Sequence, residues 1–365
     1  MTDSLFTPIS LRETTIRNRT MLSPMCQYSA DDGFPAEWHR IHLGTRAVGG
    51  AGVVMTEATA VEPRGRITPG CLGIWSDAQA EALAPIASFI SAQGATPGIQ
   101  LAHAGRKGSH ATPAAGSGPI PLAASEGWET ISATDDPYPH TDAAESELAA
   151  TRRMDADDIT DVVDAFRTAA ARSLDAGFEI AEVHAAHGYL LHQFLSPVTN
   201  DRDDNYGGSF ENRTRLLREV VAAVRSMWPD EKPIFVRISA TDWLADRDSW
   251  DGDDAVRLAP LLVDAGADLI DVSSGGIHPD QQLPETGPGY QVPYGEAIRD
   301  ATDVPVAAVG EITEPTHADA LVRNGRADLV ALGRELLRHP YWPLEAAHEL
   351  DADIAWPVQY QRGQF

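Results

Sequence analysis

The stretch HAAHGYLLHQFLSP, residues 184–197, sets His184 and His187 three positions apart and Tyr189 two further on. It follows the apolar run from Ile180 to Val183 and turns abruptly polar, the pattern of a buried strand ending where chemistry happens. Two imidazoles at this spacing can hold a metal, act as a base or bind a substrate oxygen. The metal reading needs ligands in roughly tetrahedral directions, usually with a third His, Asp or Cys. Neither H-E-x-x-H nor C-x-x-C accompanies the pair, so as a metal signal it is weak. The plain alternative is two histidines that satisfy core carbonyls.

Other side chains suited to chemistry lie in or just after similar apolar runs. Gln100 and His103 lie in GIQLAHAG, Arg237 in PIFVRISA, Ser273 and Ser274 close LIDVSS, and Arg334 follows LVALG. The elements that must position them repeat one phrase: a helix-like run, a glycine, then a short apolar strand ending in small or polar residues. It occurs as LDAGFEIAEVHAAHG, LVDAGADLIDVSSGG and LVRNGRADLVALGRE, and more loosely as GGAGVVMTEAT and SAQGATPGIQLAHAG. Glycine just past a helix is the expected cap, and continuous β-branched runs suit strands buried on both faces. With MLSPM, PIFVRISA and VPVAAVG, the phrase predicts eight strands starting near residues 20, 52, 97, 180, 234, 269, 305 and 329.

Strands alternating with helix-length segments imply right-handed βαβ units and a parallel sheet. Eight of them predict a closed α/β (β/α)₈ barrel with its active-site groups at the C-terminal ends of the strands. A doubly wound open sheet is the alternative, weakened because no G-x-G-x-x-G follows the first strand. The segment 108–150 is too long for one crossover and is rich in Pro, Gly, Ser and acid. It reads as an excursion or lid over the barrel mouth within a single domain spanning 1–365. A linker between two domains is the other reading.

Composition narrows the setting. With 28 basic against 54 acidic residues the net charge is −26, and Lys107 and Lys232 are the only lysines. That self-repulsion argues against nucleic acid or an anionic membrane as partner. Acidity combined with lysine loss favours a high-salt cytoplasm, where molar salt shortens the Debye length to about 3 Å, over the plain alternative of a merely acidic protein. Two cysteines, Cys26 and Cys71, give no disulfide framework and make a reducing compartment the expectation. No apolar run approaches the roughly 20 residues that span a bilayer, and the first residues lack the pattern of an export signal. The expectation is a soluble cytoplasmic protein.

Taken together, the phrases SPMCQYS, EATAV, GRITPGCLGIWSD, IQLAHAGRK, HAAHGYLLHQFLSPVTNDRDDNYGGSFENRTR, FVRISA, AVGEIT, NGRADLVALGRELLRHP and PVQYQRG resemble the Old Yellow Enzyme family. Within it, they match the smaller, thermophilic-like branch of FMN-dependent ene-reductases. The resemblance runs from residue 5 to the C-terminus outside the 108–150 excursion. It implies non-covalently bound FMN, hydride from NADPH or NADH, and reduction of activated C=C bonds in enones, enals, maleimides or nitroalkenes. By the same resemblance Ser23, Pro24, Met25, Cys26, Ala58, Gln100 and Arg237 line the flavin, with Ser274 and Gly275 beside them. Arg237 would bring positive charge to the ring's N1 and C2 carbonyl edge, and Gln100 a hydrogen bond. In barrels of this kind a phosphate often sits in the loops after the seventh and eighth strands. There Gly310 and Gly333 let backbone amides approach, and the Arg334 guanidinium can fork two phosphate oxygens.

The resemblance gives His184 and His187 the task of donating N–H groups to the substrate's carbonyl or nitro oxygen. It makes Tyr189 the proton donor to the α-carbon, opposite the hydride. Tyr28 would contact substrate and Cys26 tune the flavin, while Cys71 is expected only to pack. Lys107 is a candidate for the cofactor face or a nicotinamide phosphate, and His39 and His42 for a structural helix face. Arg362, in QYQRG, matches an arginine that reaches the neighbouring subunit's site, implying a homodimer or homotetramer. The excursion departs from the tighter version the family pattern leads one to expect, and the acidic, lysine-poor surface is not a family trait. Two rival functions are a metal-dependent barrel hydrolase, colourless with bound zinc, and a yellow flavin-storage or sensor protein that does not oxidise NADPH with an enone.

Overall fold

The computed structural model describes residues 3–140, 144 and 147–365. Positions 141–143 and 145–146 of the excursion lie outside the described residues. In chain order the strands are β1 (Ile9–Leu11), β2 (Thr14–Ile16), β3 (Thr20–Leu22), β4 (Val53–Ala60), β5 (Thr96–Ala102), β6 (Thr130–Ser132), β7 (Thr151–Arg153), β8 (Ile180–Ala185), β9 (Ile234–Ser239), β10 (Leu269–Ser273), β11 (Val306–Ala308) and β12 (Leu329–Leu332). Eight of them form a closed barrel in the order β3, β4, β5, β8, β9, β10, β11, β12, and β12 pairs back onto β3 through Ala331 with Met21 and Leu332 with Leu22. That last pairing excludes the open-sheet alternative. β1 and β2 form an antiparallel hairpin, and β6 of the excursion pairs in parallel with β7 just past its end.

The helices are α1 (Glu37–Val48), α2 (Asp77–Ala92), α3 (Ala156–Asp175), α4 (Leu190–Leu195), α5 (Phe210–Arg213), α6 (Arg215–Met227), α7 (Gly252–Ala265), α8 (Val292–Thr302), α9 (Pro315–Arg323), α10 (Arg334–Arg338) and α11 (Trp342–Glu349). In α3 the buried Ile159, Val162, Phe166, Ala169, Ala170 and Ser173 recur at the three- and four-residue spacing of one helix face. Its start is set by Asp155, whose carboxylate accepts from the Asp158 N–H at 2.9 Å. α7 begins likewise on Asp251 and stops at Gly266, whose φ of +114° suits glycine.

Strand residues alternate between two apolar layers. Val54, Ile99, Val183, Val236 and Ile270 pack outward against the helices. Met21, Val53, Met55, Ile180, Phe235, Leu269 and Leu329 fill the barrel together with Leu11 and Ile16 of the hairpin, which plugs its N-terminal end. Side chains two positions further along a strand share its face. Starting from the inward Ile180, Phe235 and Leu269, that period carries Glu182, Arg237 and Asp271 into the next layer. One more step brings His184 and Ser273 to the mouth. Among the described residues no helix is long and apolar enough to cross a membrane.

Candidate active site

His184 is the penultimate residue of β8 and is buried, with its Nδ1 lacking any partner among the described residues. The His187 ring stands 5.2 Å away at 73°, and the Tyr189 ring 5.2 Å away at 66°. His187 Nε2 lies 2.7 Å from Ser273 Oγ. Burial first, then the nearby Arg237 guanidinium, holds both imidazoles well below their ordinary range. Each is neutral at pH 7, with one N–H to donate and one lone pair. Burial holds the Tyr189 phenol well above its ordinary range, so it keeps its proton through neutral pH.

The turn carrying these residues is clamped on all sides. His187 takes a φ of +57°, and its backbone N–H donates to Ser239 Oγ at 2.9 Å. A Cβ on Gly276 would stand 2.6 Å from the His187 backbone, and a Cβ on Gly188 would stand 2.1 Å from the Gly276 carbonyl, so only glycine fits at either position. Lys107 Nζ donates to the His187 carbonyl at 2.8 Å and the Gly276 carbonyl at 2.9 Å. Gln193 Nε2 donates to the Gly188 carbonyl at 2.7 Å and the Ala104 carbonyl at 3.1 Å. The Gly188 N–H donates to His192 Nδ1 at 2.9 Å. Since His192 Nδ1 accepts, its Nε2 carries the hydrogen, and it faces Asp242 Oδ1 at 2.9 Å off the straight hydrogen-bond line.

Beneath the mouth lies a polar layer. Gln100 Nε2 donates to Glu182 Oε1 at 2.7 Å, which leaves the Gln100 carbonyl oxygen as the acceptor it can offer a ligand N–H. Arg237 Nη1 donates to Ser23 Oγ at 3.1 Å, while its Nε sits 3.4 Å from Asp271 Oδ2, an ion pair without an aligned hydrogen bond. Burial, then Asp271, pushes the Glu182 carboxyl up to about 8. Asp271 is raised by burial and opposed by Arg237. Ala58 stands opposite Gln100 at the β4 irregularity, where the pairing to β5 shifts register after Met55.

Past β3, Pro24, Met25 and Cys26 continue half-buried. The Cys26 thiol is raised well above its ordinary range by its hydrogen bond to Cys71 and by burial. Cys71 is buried, as packing requires, yet it also touches Cys26. A cavity of about 490 Å³ opens beyond β11 and β12, lined by Gly310, Gly333, Arg334, Ser273 and Gln291. Gly310 takes a φ of +128°. Ser274 Oγ donates to Gln291 Oε1 at 2.6 Å, and the Gly275 N–H donates to the Thr241 carbonyl at 2.7 Å. Arg334 sits at the cavity rim, 73% exposed and 3.5 Å from Glu311.

These residues fit FMN. The fold supplies an acceptor for a ring N–H at Gln100, a fixed cation at Arg237, and a glycine-walled cavity with an arginine at its rim for phosphate. Ser273 joins the two parts, touching His187 and lining the cavity. Tyr28 takes a φ of +52° and is half-buried beside a smaller cavity it shares with Lys107. Arg362 is not brought to this group. It lies exposed on the C-terminal turn Val358–Gly363, a tail packed on α11 through Tyr341 with Tyr360 and His348 with Phe365. His39 and His42 are buried on one face of α1, and His39 Nε2 lies 3.0 Å from Glu57 Oε1, a structural arrangement. Among the described residues no three His, Cys, Asp or Glu side chains stand together as a metal site.

Sequence reasoning missed Glu182, Asp271, Gln291, the His192–Asp242 pair and the two carbonyls that Lys107 clamps. The available signal was a carboxylate inside an otherwise apolar strand, in IAEVHA and in LIDVS. The neutral imidazoles give a pH expectation. Unfolded histidine takes a proton near 6.5, so the unfolded chain binds more protons below that pH. The unfolding temperature should therefore fall as pH drops from about 6.5 toward 4. A flat course through that window would mean that the imidazoles are solvated.

The chain matches the NADH:flavin oxidoreductase / NADH oxidase family over residues 4–353. It is 45% identical to an NADPH dehydrogenase of Geobacillus sp. (strain WCH70), over 100% of this chain and 99% of that one. Among solved structures, a morphinone reductase superposes with a TM-score of 0.79 at 27% identity, covering 98% of this chain and 92% of that one. A 2-naphthoyl-CoA reductase superposes with a TM-score of 0.85 at 26% identity, covering 96% of this chain but only 53% of that longer chain. With the closed barrel and a mouth that fits FMN, these likenesses lead to one assignment: the chain belongs to the NADH:flavin oxidoreductase / NADH oxidase family, as an NAD(P)H-dependent, FMN-using oxidoreductase of the Old Yellow Enzyme type.

Proposed function

We propose that this enzyme reduces the activated C=C bond of α,β-unsaturated carbonyl or nitro compounds. The observation that carries the reading is the buried, unpartnered Nδ1 of His184, set beside neutral His187 and the protonated phenol of Tyr189. Such a group suits a ligand oxygen, because a buried polar atom without a partner is costly. FMN, held at the barrel mouth by Gln100, Arg237 and the glycine-walled cavity, would supply the hydride chemistry between nicotinamide and substrate. His184 and His187 hold the substrate oxygen and stabilise the negative charge that gathers on it. Tyr189 hands its phenolic proton to the α-carbon. Asp271 and Glu182 orient Arg237 and Gln100 from below, and the Lys107, Gln193 and His192 contacts fix the turn so that donors and phenol need no rearrangement. Names such as morphinone reductase and 2-naphthoyl-CoA reductase among the structural neighbours favour reduction of unsaturated bonds.

Ser23, Pro24, Met25, Cys26, Ala58, Gln100, Arg237, Ser274, Gly275, Gly310, Gly333 and Arg334 are proposed to hold FMN, and Tyr28 the substrate. Purified protein should be yellow, release FMN on denaturation, and bleach under anaerobic NADPH until an enone restores the colour. Arg334→Ala should weaken FMN binding by about 1.5–3 kcal/mol, the range for a hydrogen bond to a charged group, seen as flavin lost on gel filtration. A colourless protein that refuses added FMN refutes the reading, and one that bleaches but is not restored by any enone becomes the storage or sensor rival.

The setting is part of the proposal: a high-salt cytoplasm, and a homo-oligomer in which Arg362 completes the neighbouring site. Its support is the net charge of −26 and the exposed position of Arg362 on the tail. Dilution into low salt leaves acidic self-repulsion unscreened. Activity and flavin should be lost there and return near molar salt. Full activity in salt-free buffer, from a particle that light scattering finds monomeric, would overturn both parts.

A further inference from the structure

A second, smaller cavity of about 180 Å³ opens beside the catalytic residues, walled by Tyr28, Lys107, His110, Tyr138, His140 and Ser117. Its connection to the site is direct. Lys107, which clamps the His187 carbonyl, lies 5.0 Å from the Tyr189 ring centre and 5.1 Å from that of Tyr138. In a chain with 54 acidic and 28 basic residues, no acidic side chain is found among the described residues lining this cavity. The lining instead carries one lysine, two histidines and two phenols.

The histidines come from opposite ends of one stretch of the excursion and meet Nε2 to Nε2 at 2.7 Å. His110 Nδ1 lies 2.8 Å from the Gly108 carbonyl, which can only accept, so that nitrogen carries the hydrogen. His110 Nε2 then holds a lone pair and receives the His140 Nε2–H. In the neutral pair, the Nδ1 of His140 is the remaining lone pair. A proton added there makes the pair cationic and breaks neither existing contact. The Lys107 ammonium has three N–H groups, of which two go to the His187 and Gly276 carbonyls, and among the described residues none takes the third.

We propose that this cavity is a subsite for an anionic oxygen group, a carboxylate on the substrate or a phosphate of the nicotinamide donor, and that the anion binds together with one proton taken up by the His110–His140 pair. The proposal rests on the reading of His184, His187 and Tyr189 as the hydride-acceptor site. Without an anion, burial holds His110 down to about 4 and also lowers His140. Lys107 is lowered by burial to about 8 and stays cationic at pH 7. Among the described residues, the other charged or titratable groups around the pair are Lys107 from the turn after β5, Tyr28 from the loop after β3, and Tyr138 of the excursion, with Arg106 behind Tyr138. None of these supplies a negative charge at neutral pH, so an incoming anion is what makes protonation of the pair favourable.

The test uses FMN-loaded enzyme with two enones, 2-cyclohexen-1-one and its ring-carboxylate analogue. Wild type should prefer the carboxylate about tenfold in kcat/KM at pH 6, and the preference should shrink about tenfold by pH 8 while the neutral enone changes less than twofold. A His110→Ala, His140→Ala double variant should lose the preference yet turn over the neutral enone. If the group is instead a phosphate, the same variant should leave the enone ratio alone and raise the Kd of NADPH about tenfold. Titration with acetate and with inorganic phosphate, by calorimetry in two buffers of different ionisation heat, reads proton uptake without turnover. His140→Gln keeps a donor to His110 but cannot gain a proton, so its anion binding should be weaker and free of proton uptake. The proposal is overturned if the double variant matches wild type within twofold in both the enone ratio and the NADPH Kd, or if neither anion binds with proton uptake. A wild type that reduces neither enone counts against the hydride-acceptor reading, and the calorimetric result then decides the subsite alone.

Discussion

Tyr189→Phe should slow reoxidation of the reduced enzyme by an enone about 10²–10⁴-fold, the usual worth of a positioned general acid. The change removes one hydroxyl and keeps the ring that packs against His184 and under Lys107. FMN content and the rate of bleaching by NADPH should be unaltered, because no proton is delivered to carbon in that half of the cycle. Stopped-flow traces of the two half-reactions separate these outcomes. Ionisation of the phenol should cost the wild-type rate nothing through neutral pH, since burial keeps it protonated well past its ordinary range. Equal reoxidation rates for the variant and wild type with every enone tried would take Tyr189 out of the chemistry.

Losing a donor to the substrate oxygen should cost nearly as much. His184→Ala and His187→Ala are each expected to lower kcat by about 10²–10³, the worth of one preorganised oxyanion donor. They should also weaken phenolic ligands, whose oxygen would occupy the same place, while flavin absorbance persists. The two variants differ in a way that the contacts anticipate. His187 is tied to Ser273, which also lines the phosphate-side cavity, so its removal disturbs that cavity more. His184→Asn restores an N–H near the lost one and should recover part of the rate. Variants that keep full turnover but lose a bound metal would return the pair to the metal reading.

Most of the barrel was legible because its strands are buried on both faces. A run such as IAEVHA or IFVRIS shows apolar continuity, and before IAEVHA a glycine, Gly177, marks the helix end. All eight predicted starts fall within a residue of a barrel strand. β1, β2, β6 and β7 left no such trace, since none carries the apolar continuity of MLSPM or VPVAAVG, which marked the equally short β3 and β11. In the site, side chains beside a strand end could be read in place, as with His184, Gln100 and Arg237. Partners distant in sequence could not. Glu182 looks like a stray charge until β5 brings Gln100 to it, and His110 and His140 are separated by 30 positions that only the folded excursion closes. Lys107 shows its charge in the sequence, but the His187 and Gly276 carbonyls it clamps appear only in the fold.

Both lysines of this protein are occupied. Lys107 is turned inward on the His187 and Gly276 carbonyls, and Lys232 binds Glu179 at 3.0 Å with only 22% of its side chain exposed. Apart from the chain's amino terminus, the surface is thus nearly blank to amine-directed reagents. Succinimidyl esters, aldehydes and amine-coupled resins would find almost nothing to grip, whereas carbodiimide coupling would meet carboxylates on every side. An immobilised or dye-labelled preparation is best built through those carboxylates, and a mass spectrum after exhaustive amine acylation should show very few added groups.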